Sequence, residues 1–303
     1  MSKTRDFLGP YRLTRLIRQG NSAEIWEAVE EQTEDRVALK VLRAKARTDK
    51  VEIAGLKHEY NVSHSLTSSP RLINIHGFRI ESGTPFLVME LFSELNMKQA
   101  LRRGPESLAF MLEKIIEQAA EGLYFMHNKG WVHRDVKPDN FLVSRDGEVK
   151  LIDFQIAEKK KGGLGKLFYK GKIQGTKSYM SPEQIRGKAC DERADIYGFG
   201  CVLYESVTGR PPYTGTSSND LLSKHLNANI PNPIVHNENV TSEFAALLKR
   251  MMAKKPDGRP TSLWEFLKEF RQLKIFKRTP KPPEVSVFDD MPGFKNPDDL
   301  FRS

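Results

Sequence analysis

The chain of 303 residues is long enough for about two domains or one large one, and its 39% hydrophobic and 29% charged residues are typical of a soluble globular protein. No apolar run approaches the ~20 residues that cross a bilayer, and two cysteines without metal-ligand spacing argue against a disulfide framework, which indicates a reducing cytoplasm. The net charge of +9 is compatible with an anionic partner, but as long as the charges are not shown to cluster we interpret it as a solvated basic surface and expect no nucleic acid partner.

The N-terminal part is predicted to be rich in β-strands. Residues 1–6 lack the apolar region of a signal peptide, and residues 1–10 are expected to be a loose leader that ends in Gly9-Pro10. From Tyr11 to Leu42 the pattern is that of β-strands, with an interruption around Gly20, where glycine permits close approach of the backbone to a ligand. A further apolar strand at residues 85–92 leads into the next part of the chain.

From Leu95 onward the pattern becomes helical. Residues 107–127 carry apolar side chains near helical spacing, which predicts a buried helix that ends at Asn128-Lys129-Gly130, a helix-stop signal. Later helices are predicted at Leu221–Asn229, Ser242–Met252 and Leu263–Leu273.

A dense polar stretch follows the predicted helix, at residues 133–140 (H-R-D-V-K-P-D-N). Apolar residues flank it, and so many polar groups are costly to bury unless each is paired. A β-hairpin with Asp146-Gly147 at its turn comes next. The hairpin has an acid before it (Asp135), an amide at its start (Asn140) and an acid after it (Asp153). This arrangement suits divalent cations that bridge phosphate oxygens, with a separate carboxylate to accept a proton.

The pattern H-R-D-x-K-P-x-N, followed by D-F at Asp153, resembles the catalytic core of the Ser/Thr protein kinases of the bacterial Hanks type. The resemblance covers residues 11–273 and implies an α+β fold of two lobes. The small β-rich N-lobe is expected over about 11–91 and the larger helical C-lobe over about 92–273. It also implies ATP-dependent transfer of the γ-phosphoryl group to Ser/Thr hydroxyls of protein substrates.

The resemblance implies roles for the polar residues of the catalytic core. Asp135 is expected to orient or deprotonate the substrate hydroxyl, and Lys137 to steady the γ-phosphate and mark Ser/Thr specificity. Asn140 and Asp153 are expected to hold Mg²⁺, with Mn²⁺ as an alternative. Thr176, in a segment that resembles G-T-x-x-Y-M-[AS]-P-E, is expected to line the substrate pocket.

The nucleotide-binding residues are likewise implied by the resemblance. Lys40, in a strand that matches V-A-I-K, is expected to contact the α- and β-phosphates and to pair with an acid on the following helix. We choose Glu59 as that acid and keep Glu52 as the runner-up. Met89 is the expected gatekeeper. The other residues expected around the nucleotide are Gly20, Ile25, Ala38, Glu90, Phe92 and Leu142.

Three positions depart from the pattern of the family. Of the Gly-rich loop only Gly20 is present, Ser63 stands where an apolar residue of the regulatory spine is usual, and Gln155 replaces the glycine of D-F-G. Because glutamine lacks the backbone freedom of glycine, we expect less switching between Asp-in and Asp-out arrangements.

These departures favour a second interpretation, a pseudokinase that acts as a nucleotide-binding or scaffolding module. The complete set of catalytic residues favours an active enzyme. A third interpretation, a small-molecule kinase on the same fold, is disfavoured by Lys137 and by the peptide-pocket segment at residues 175–183.

The expected activation loop, residues 158–174, contains no Ser or Thr, and Tyr169 is its only hydroxyl. Arg134 is therefore expected to lack the phosphorylated partner that usually pairs with it, which predicts activity without Ser/Thr phosphorylation in this loop. Six lysines make the loop basic, and we expect either a solvated loop or a docking site for an acidic partner.

The resemblance also implies three structural residues. Glu183 is expected to pair with Arg259, and Asp195 to brace the backbone of the catalytic loop. After residue 273 a tail rich in Pro, Asp and Lys, residues 274–303, is expected to be a poorly ordered extension.

Overall fold

The computed structural model describes residues 7–66, 69–92, 94–160 and 174–289. The chain divides into an N-terminal unit, Met1–Ser93 with Ile152–Ala157, and a C-terminal unit, Glu94–Leu151 with Glu158–Ser303. The segment that carries Asp153 therefore belongs to the N-terminal unit, although the hairpin before it belongs to the other. The α+β class with a β-rich N-terminal part and a larger helical C-terminal part is confirmed.

An antiparallel sheet forms the N-terminal unit. Within the described residues it has six strands in the order β1-β2-β3-β4-β6-β5. Their bounds are β1 (Phe7–Leu8), β2 (Tyr11–Gln19), β3 (Ala23–Glu30), β4 (Arg36–Leu42), β5 (Ile75–Glu81) and β6 (Thr84–Glu90). The register pairs Ile25 with Lys40 and Ala38 with Met89. Alternate residues of the strands face one core, where Tyr11 meets Phe86 edge to face.

The sheet is accompanied by helix α1 (Lys50–Ser65), whose first turn is capped by the carboxylate of Asp49. Leu56, Glu59 and Val62 are buried and lie three residues apart, so they share one face of the helix. The sequence pattern thus places a carboxylate in an otherwise apolar stripe, which requires a cationic partner.

The C-terminal unit is mainly helical. Its helices are α2 (Met97–Leu101), α3 (Glu106–Ala109), α4 (Leu112–Asn128), α5 (Pro182–Ile185), α6 (Glu192–Thr208), α7 (Ser218–Asn227), α8 (Ser242–Met251) and α9 (Leu263–Phe270). Short 3₁₀ turns lie at Pro138–Asn140, Pro233–Val235 and Pro256–Gly258.

The long helix predicted over residues 107–127 is in fact two helices. The chain leaves helical geometry at Met111 (φ −117°, ψ 9°), and α4 begins anew with the buried Leu112. Its end at Asn128 agrees with the helix-stop signal. Helix α7 begins earlier than predicted, because the hydroxyl of Ser217 accepts a hydrogen bond from the backbone N–H of Asp220.

The predicted hairpin after the polar stretch is present. It comprises β9 (Phe141–Val143) and β10 (Val149–Leu151), and Gly147 supplies a φ of +75° at its turn. Strand β7 (Leu95–Asn96) completes this small sheet, and β8 (Trp131–Val132) pairs with β11 (Glu158–Lys159). The polar stretch 133–140 therefore connects β8 to β9.

The tail differs from a loose extension as far as it is described. Val287 and Phe288 are buried, and Asp289 pairs with Arg145 of the hairpin turn at 2.8 Å. The expectation for residues 290–303 lies outside the described residues. None of the helices in the described ranges has both the length and the apolar composition needed to cross a bilayer.

The tail yields a stability prediction. Phe288→Ala removes a side chain that is 2% exposed and should lower the free energy of unfolding by about 3–5 kcal/mol. Val285→Ala is the matched control, since that side chain is 67% exposed and its loss should change stability by less than ~0.5 kcal/mol. Denaturant unfolding of both variants measures this, and equal effects would show that Phe288 is not part of the packed core.

A buried imidazole yields a pH prediction. His225 is buried, and its Nδ1 lies 2.9 Å from the hydroxyl of Tyr197. Burial, aided by the charge of Lys254, lowers the pKa of His225 to about 4. The unfolded chain therefore binds a proton between pH 6.5 and 4 that the folded chain does not, so stability is complete above pH 6.5 and falls as the pH drops through this window.

The loss assigned to His225 is about 3 kcal/mol between pH 7 and 4. His225→Gln keeps a polar partner for Tyr197 but cannot be protonated, so its stability should decrease less over the same range. Urea unfolding at both pH values measures the difference, and parallel losses in the two proteins would contradict the assignment.

Candidate active site

A lysine ammonium joins three parts of the N-terminal unit. Lys40 lies on β4, and its Nζ is 2.7 Å from Oε2 of Glu59 on α1 and 3.1 Å from Oδ1 of Asp153. Burial lowers the pKa of Lys40, but the charges of Asp153 and Glu59 outweigh it and the net shift is upward. Lys40 is therefore a permanent cation. Its partner on α1 is Glu59, the first choice from the sequence, and not Glu52.

The carboxylate of Asp153 is held in a specific orientation by its backbone. Asp153 has a φ of +69°, which is uncommon for a residue with a side chain and costs of order 1–3 kcal/mol. The next residue, Phe154, is completely buried, and its backbone N–H donates a hydrogen bond to Glu59. The ion pair with Lys40 and this hydrogen bond together fix Asp153 and the residue that follows it.

In the C-terminal unit, a second network surrounds Asp135. Its Oδ2 is 2.6 Å from Nζ of Lys137, and its Oδ1 accepts the backbone N–H of Thr176 at 2.8 Å. Lys137 also donates to the hydroxyl of Thr176 at 2.9 Å. The carboxylate is thus held beside a cation, and it keeps the capacity to accept a proton from a nearby hydroxyl.

The amide of Asn140 is oriented by the same loop. Its Nδ2 donates to the carbonyl oxygen of Asp135 at 2.8 Å, so the amide oxygen points the opposite way. An amide oxygen and a carboxylate, such as that of Asp153, are the hard ligands that Mg²⁺ takes in proteins. The two side chains belong to different units, and each by itself fits the role of a metal ligand.

Asp195, at the start of α6, braces the backbone of the polar stretch 133–140. Its Oδ2 accepts the backbone N–H of His133 at 2.7 Å and lies 2.8 Å from Nε2 of His127, and its Oδ1 accepts the backbone N–H of Arg134 at 2.8 Å. Burial alone would raise the pKa of Asp195, but these hydrogen bonds and the histidines lower it below its ordinary value. A buried anion thus holds Arg134 at a φ of +69°. Nothing in the sequence pattern had indicated His127.

Glu183 and Arg259 form a bidentate ion pair. The Nη1–Oε1 distance is 2.6 Å and the Nη2–Oε2 distance is 2.9 Å, in a buried setting. On the same helix Gln184 donates to the carbonyl oxygen of Arg134 at 2.7 Å. The sequence analysis missed Gln184, although Ser181 and Gln184 have the spacing of a capping box, which the structure contains.

The expectation that Arg134 lacks a phosphorylated partner stays a prediction, but its guanidinium has a carboxylate partner that the sequence analysis did not anticipate. Its Nη1 is 2.6 Å from Oε2 of Glu158, and the two side chains are 9% and 30% exposed. Strand pairing explains this contact, because β11 places Glu158 opposite Val132, two residues before Arg134. The sequence feature that could have indicated this contact is that Glu158 is the single acid of the basic segment 158–174. Residues 161–173, with Tyr169 and most of the lysines, lie outside the described residues.

The residues expected around the nucleotide are distributed between both units. Gly20, Ile25, Ala38, Glu90 and Phe92 belong to the N-terminal unit, and Leu142 lies on β9 of the C-terminal unit. The loop around Gly20 is closed by the hydrogen bond from its N–H to the carbonyl of Ala23 (2.8 Å). Arg43, which the sequence analysis did not single out, donates to the carbonyl of Gly20 at 3.1 Å. The loop is thus braced although the other two glycines are missing.

Ser63 is accommodated without an unsatisfied hydroxyl. It is buried, accepts the backbone N–H of Ile75 at 3.3 Å and donates to the carbonyl of Ile73 at 3.4 Å. The cost of a polar group in this apolar position is therefore offset by hydrogen bonds.

Comparison with known proteins agrees with this geometry. The protein kinase domain family matches residues 11–272. The serine/threonine-protein kinase PknH of Mycobacterium tuberculosis is 36% identical over 261 residues, which are 86% of this chain and 41% of the relative. PknE of the same organism is 35% identical over 251 residues (83% and 44%), and the probable serine/threonine-protein kinase PknB of Bifidobacterium longum is 30% identical over 267 residues (85% and 39%).

The chain spans less than half the length of these relatives. The match nevertheless includes both units and every residue of the two networks around Lys40 and Asp135. This chain belongs to the protein kinase domain family.

Proposed function

We propose that this chain is an ATP-dependent protein serine/threonine kinase that transfers the γ-phosphoryl group of Mg-ATP to Ser/Thr hydroxyls of proteins. The observation that carries the proposal is the network in which Asp135, Lys137 and Thr176 are joined by hydrogen bonds of 2.6–2.9 Å. Members of this family use ATP and a divalent cation. We take residues 11–273 as the catalytic domain.

The residues of the N-terminal unit are assigned to the nucleotide. Lys40, a permanent cation fixed by Glu59, binds the α- and β-phosphate oxygens. Asp153 of this unit is assigned to metal binding, as is Asn140 of the C-terminal unit, and Mg²⁺ would suit these oxygen ligands better than a softer ion, with Mn²⁺ as the alternative. The bound cation supplies charge neutralisation of the phosphates. The adenine ring is assigned to the apolar side chains that are expected around the nucleotide, among them Ile25 and Ala38 of this unit.

The residues of the C-terminal unit are assigned to the acceptor. Asp135 orients the substrate hydroxyl and accepts its proton, and Lys137 steadies the γ-phosphate while it stays hydrogen-bonded to Thr176. Asp195 keeps this loop in place through backbone hydrogen bonds. Little covalent chemistry is required of the protein, whose contribution is position and charge.

The acceptor class follows from Lys137 and Thr176 together with the segment that resembles the peptide pocket, residues 175–183. A small-molecule kinase has no need of that segment. The basic residues after Glu158 suit an acidic protein substrate or partner. A pseudokinase remains the second candidate, since only one glycine of the Gly-rich loop is present.

Regulation by phosphorylation of the activation loop is not required in this proposal. The guanidinium of Arg134 already has a carboxylate neighbour in Glu158. A phosphorylated side chain usually supplies that negative charge. The loop 158–174 also offers no Ser or Thr to modify.

One prediction of the proposed function concerns phosphate transfer. With labelled ATP and Mg²⁺, the protein should phosphorylate itself or generic protein acceptors on Ser/Thr, and Asp135→Asn should lower the rate about 10²–10⁴-fold because the proton acceptor is lost. Asp146→Asn, the same change in the exposed hairpin turn, is the control and should retain the rate. Phosphoamino-acid analysis identifies the acceptor.

The outcome also separates the two candidates. A wild-type protein that shows a thermal shift with Mg-ATP but transfers no phosphate would support the pseudokinase. A rate that Asp135→Asn leaves unchanged would contradict the role of Asp135.

Another prediction of the proposed function concerns Glu158. Protein treated with phosphatase and shown by mass spectrometry to carry no phosphate should remain active, and Glu158→Gln should lower its kcat about tenfold because Arg134 loses its carboxylate partner. Glu238→Gln, at an exposed position, is the control. Activity that appears only after phosphorylation of Tyr169 would refute the proposal.

A further inference from the structure

Gln155 and Gly55 form a matched pair in the N-terminal unit. Gln155 follows Asp153 and Phe154, and its side chain lies across α1 at the position of Gly55. A Cβ atom on Gly55 would be 2.4 Å from Nε2, 3.1 Å from Cγ and 3.2 Å from Cδ of Gln155. Because Cγ and Cδ are close as well as Nε2, a movement of the terminal amide alone would not make room for a Cβ.

Space, and not backbone conformation, accounts for glycine at position 55. Gly55 lies inside α1, where glycine is less favourable than alanine because it loses more conformational freedom. Gly55 is not among the described residues with a positive φ, so alanine could adopt the same backbone conformation. The glycine therefore creates a notch on the helix, and Gln155 fills that notch.

The notch adjoins other contacts between α1 and the segment 152–157. His58, three residues after Gly55, has its Nε2 2.8 Å from the carbonyl oxygen of Ala157. Glu59, four residues after Gly55, binds Lys40, which in turn binds Asp153. Residues three and four apart share one helix face, so these contacts form a continuous strip along α1. Gln155 extends the strip toward the N-terminal end of the helix.

We propose that Gln155 is a positioning residue that uses the notch at Gly55 to hold the segment 152–157 on α1, and thereby keeps Asp153 beside Lys40. Glycine at position 155 would leave the segment without this side-chain contact and would let its backbone rotate. In this chain the packed contact between Gln155 and Gly55 takes the place of that backbone rotation. The inference deepens the proposed function, on which it rests, by assigning the orientation of the metal-binding acid to a side chain.

The test is a double-mutant cycle of Gly55→Ala and Gln155→Ala. Alanine at position 155 removes the side chain beyond Cβ without the added flexibility of glycine. Helix propensity alone predicts that Gly55→Ala raises the melting temperature in either background. The proposal predicts opposite signs: Gly55→Ala lowers the melting temperature when Gln155 is present and raises it in the Gln155→Ala background.

The functional readout is kcat/KM for phosphate transfer, with its dependence on the Mg²⁺ concentration. Gly55→Ala should lower kcat/KM about tenfold and raise the Mg²⁺ concentration for half-maximal rate. In the Gln155→Ala background the same substitution should change neither by more than about twofold. Ala54→Gly is the control, because it weakens α1 by propensity at an exposed neighbouring position and should leave the Mg²⁺ dependence unchanged.

Additive melting temperatures across the cycle would overturn the contact. Coupled melting temperatures with additive kcat/KM values would reduce the pair to packing and overturn the positioning role. A wild-type protein without transfer activity would overturn the proposed function instead. In that case the double-mutant cycle is repeated with the affinity for Mg-ADP, measured by calorimetry, as the readout. Coupled affinities support the positioning role, and additive affinities overturn it.

Discussion

The N-terminal unit depends on one buried cation between two carboxylates. Lys40 joins β4 to α1 through Glu59 and to the segment 152–157 through Asp153. Because Glu59 is almost completely buried, the carboxylate needs this partner, and an unpaired charge there would be costly. The position of the helix and that of Asp153 are consequently not independent. Any change that displaces one of the three groups disturbs the other two.

In the C-terminal unit, a buried charge with specific partners likewise orders the polar stretch 133–140. Asp195 is a buried anion that accepts hydrogen bonds from two backbone N–H groups, of His133 and Arg134. These bonds set the backbone just before Asp135, whose side chain is then fixed by Lys137. The loop can therefore carry a dense series of polar residues between apolar strands, since nearly every group has a specific partner.

The departures from the family pattern each have a local counterpart. Gln155 lies in the notch of Gly55, the hydroxyl of Ser63 is bonded to backbone atoms of Ile73 and Ile75, and Arg43 braces the loop around Gly20. All of these contacts concern position or charge and none removes a group from the proposed chemistry. At each of these positions a fixed side chain sets the local arrangement.

The sequence by itself determined the fold class, the hairpin after the polar stretch and the partner of Lys40, because alternation, turn glycines and motif spacing are local or shared by the family. The break at Met111 and the buried Phe288 were not predictable, since local pattern does not say where a helix restarts or whether a tail finds a packing site. Tertiary structure alone decided that Glu158 reaches Arg134 and that Gln155 lies on Gly55. These pairs are distant in sequence, and neither residue type in isolation demands the other: only the packed chain brings a charge to its counter-charge and a large side chain to a glycine.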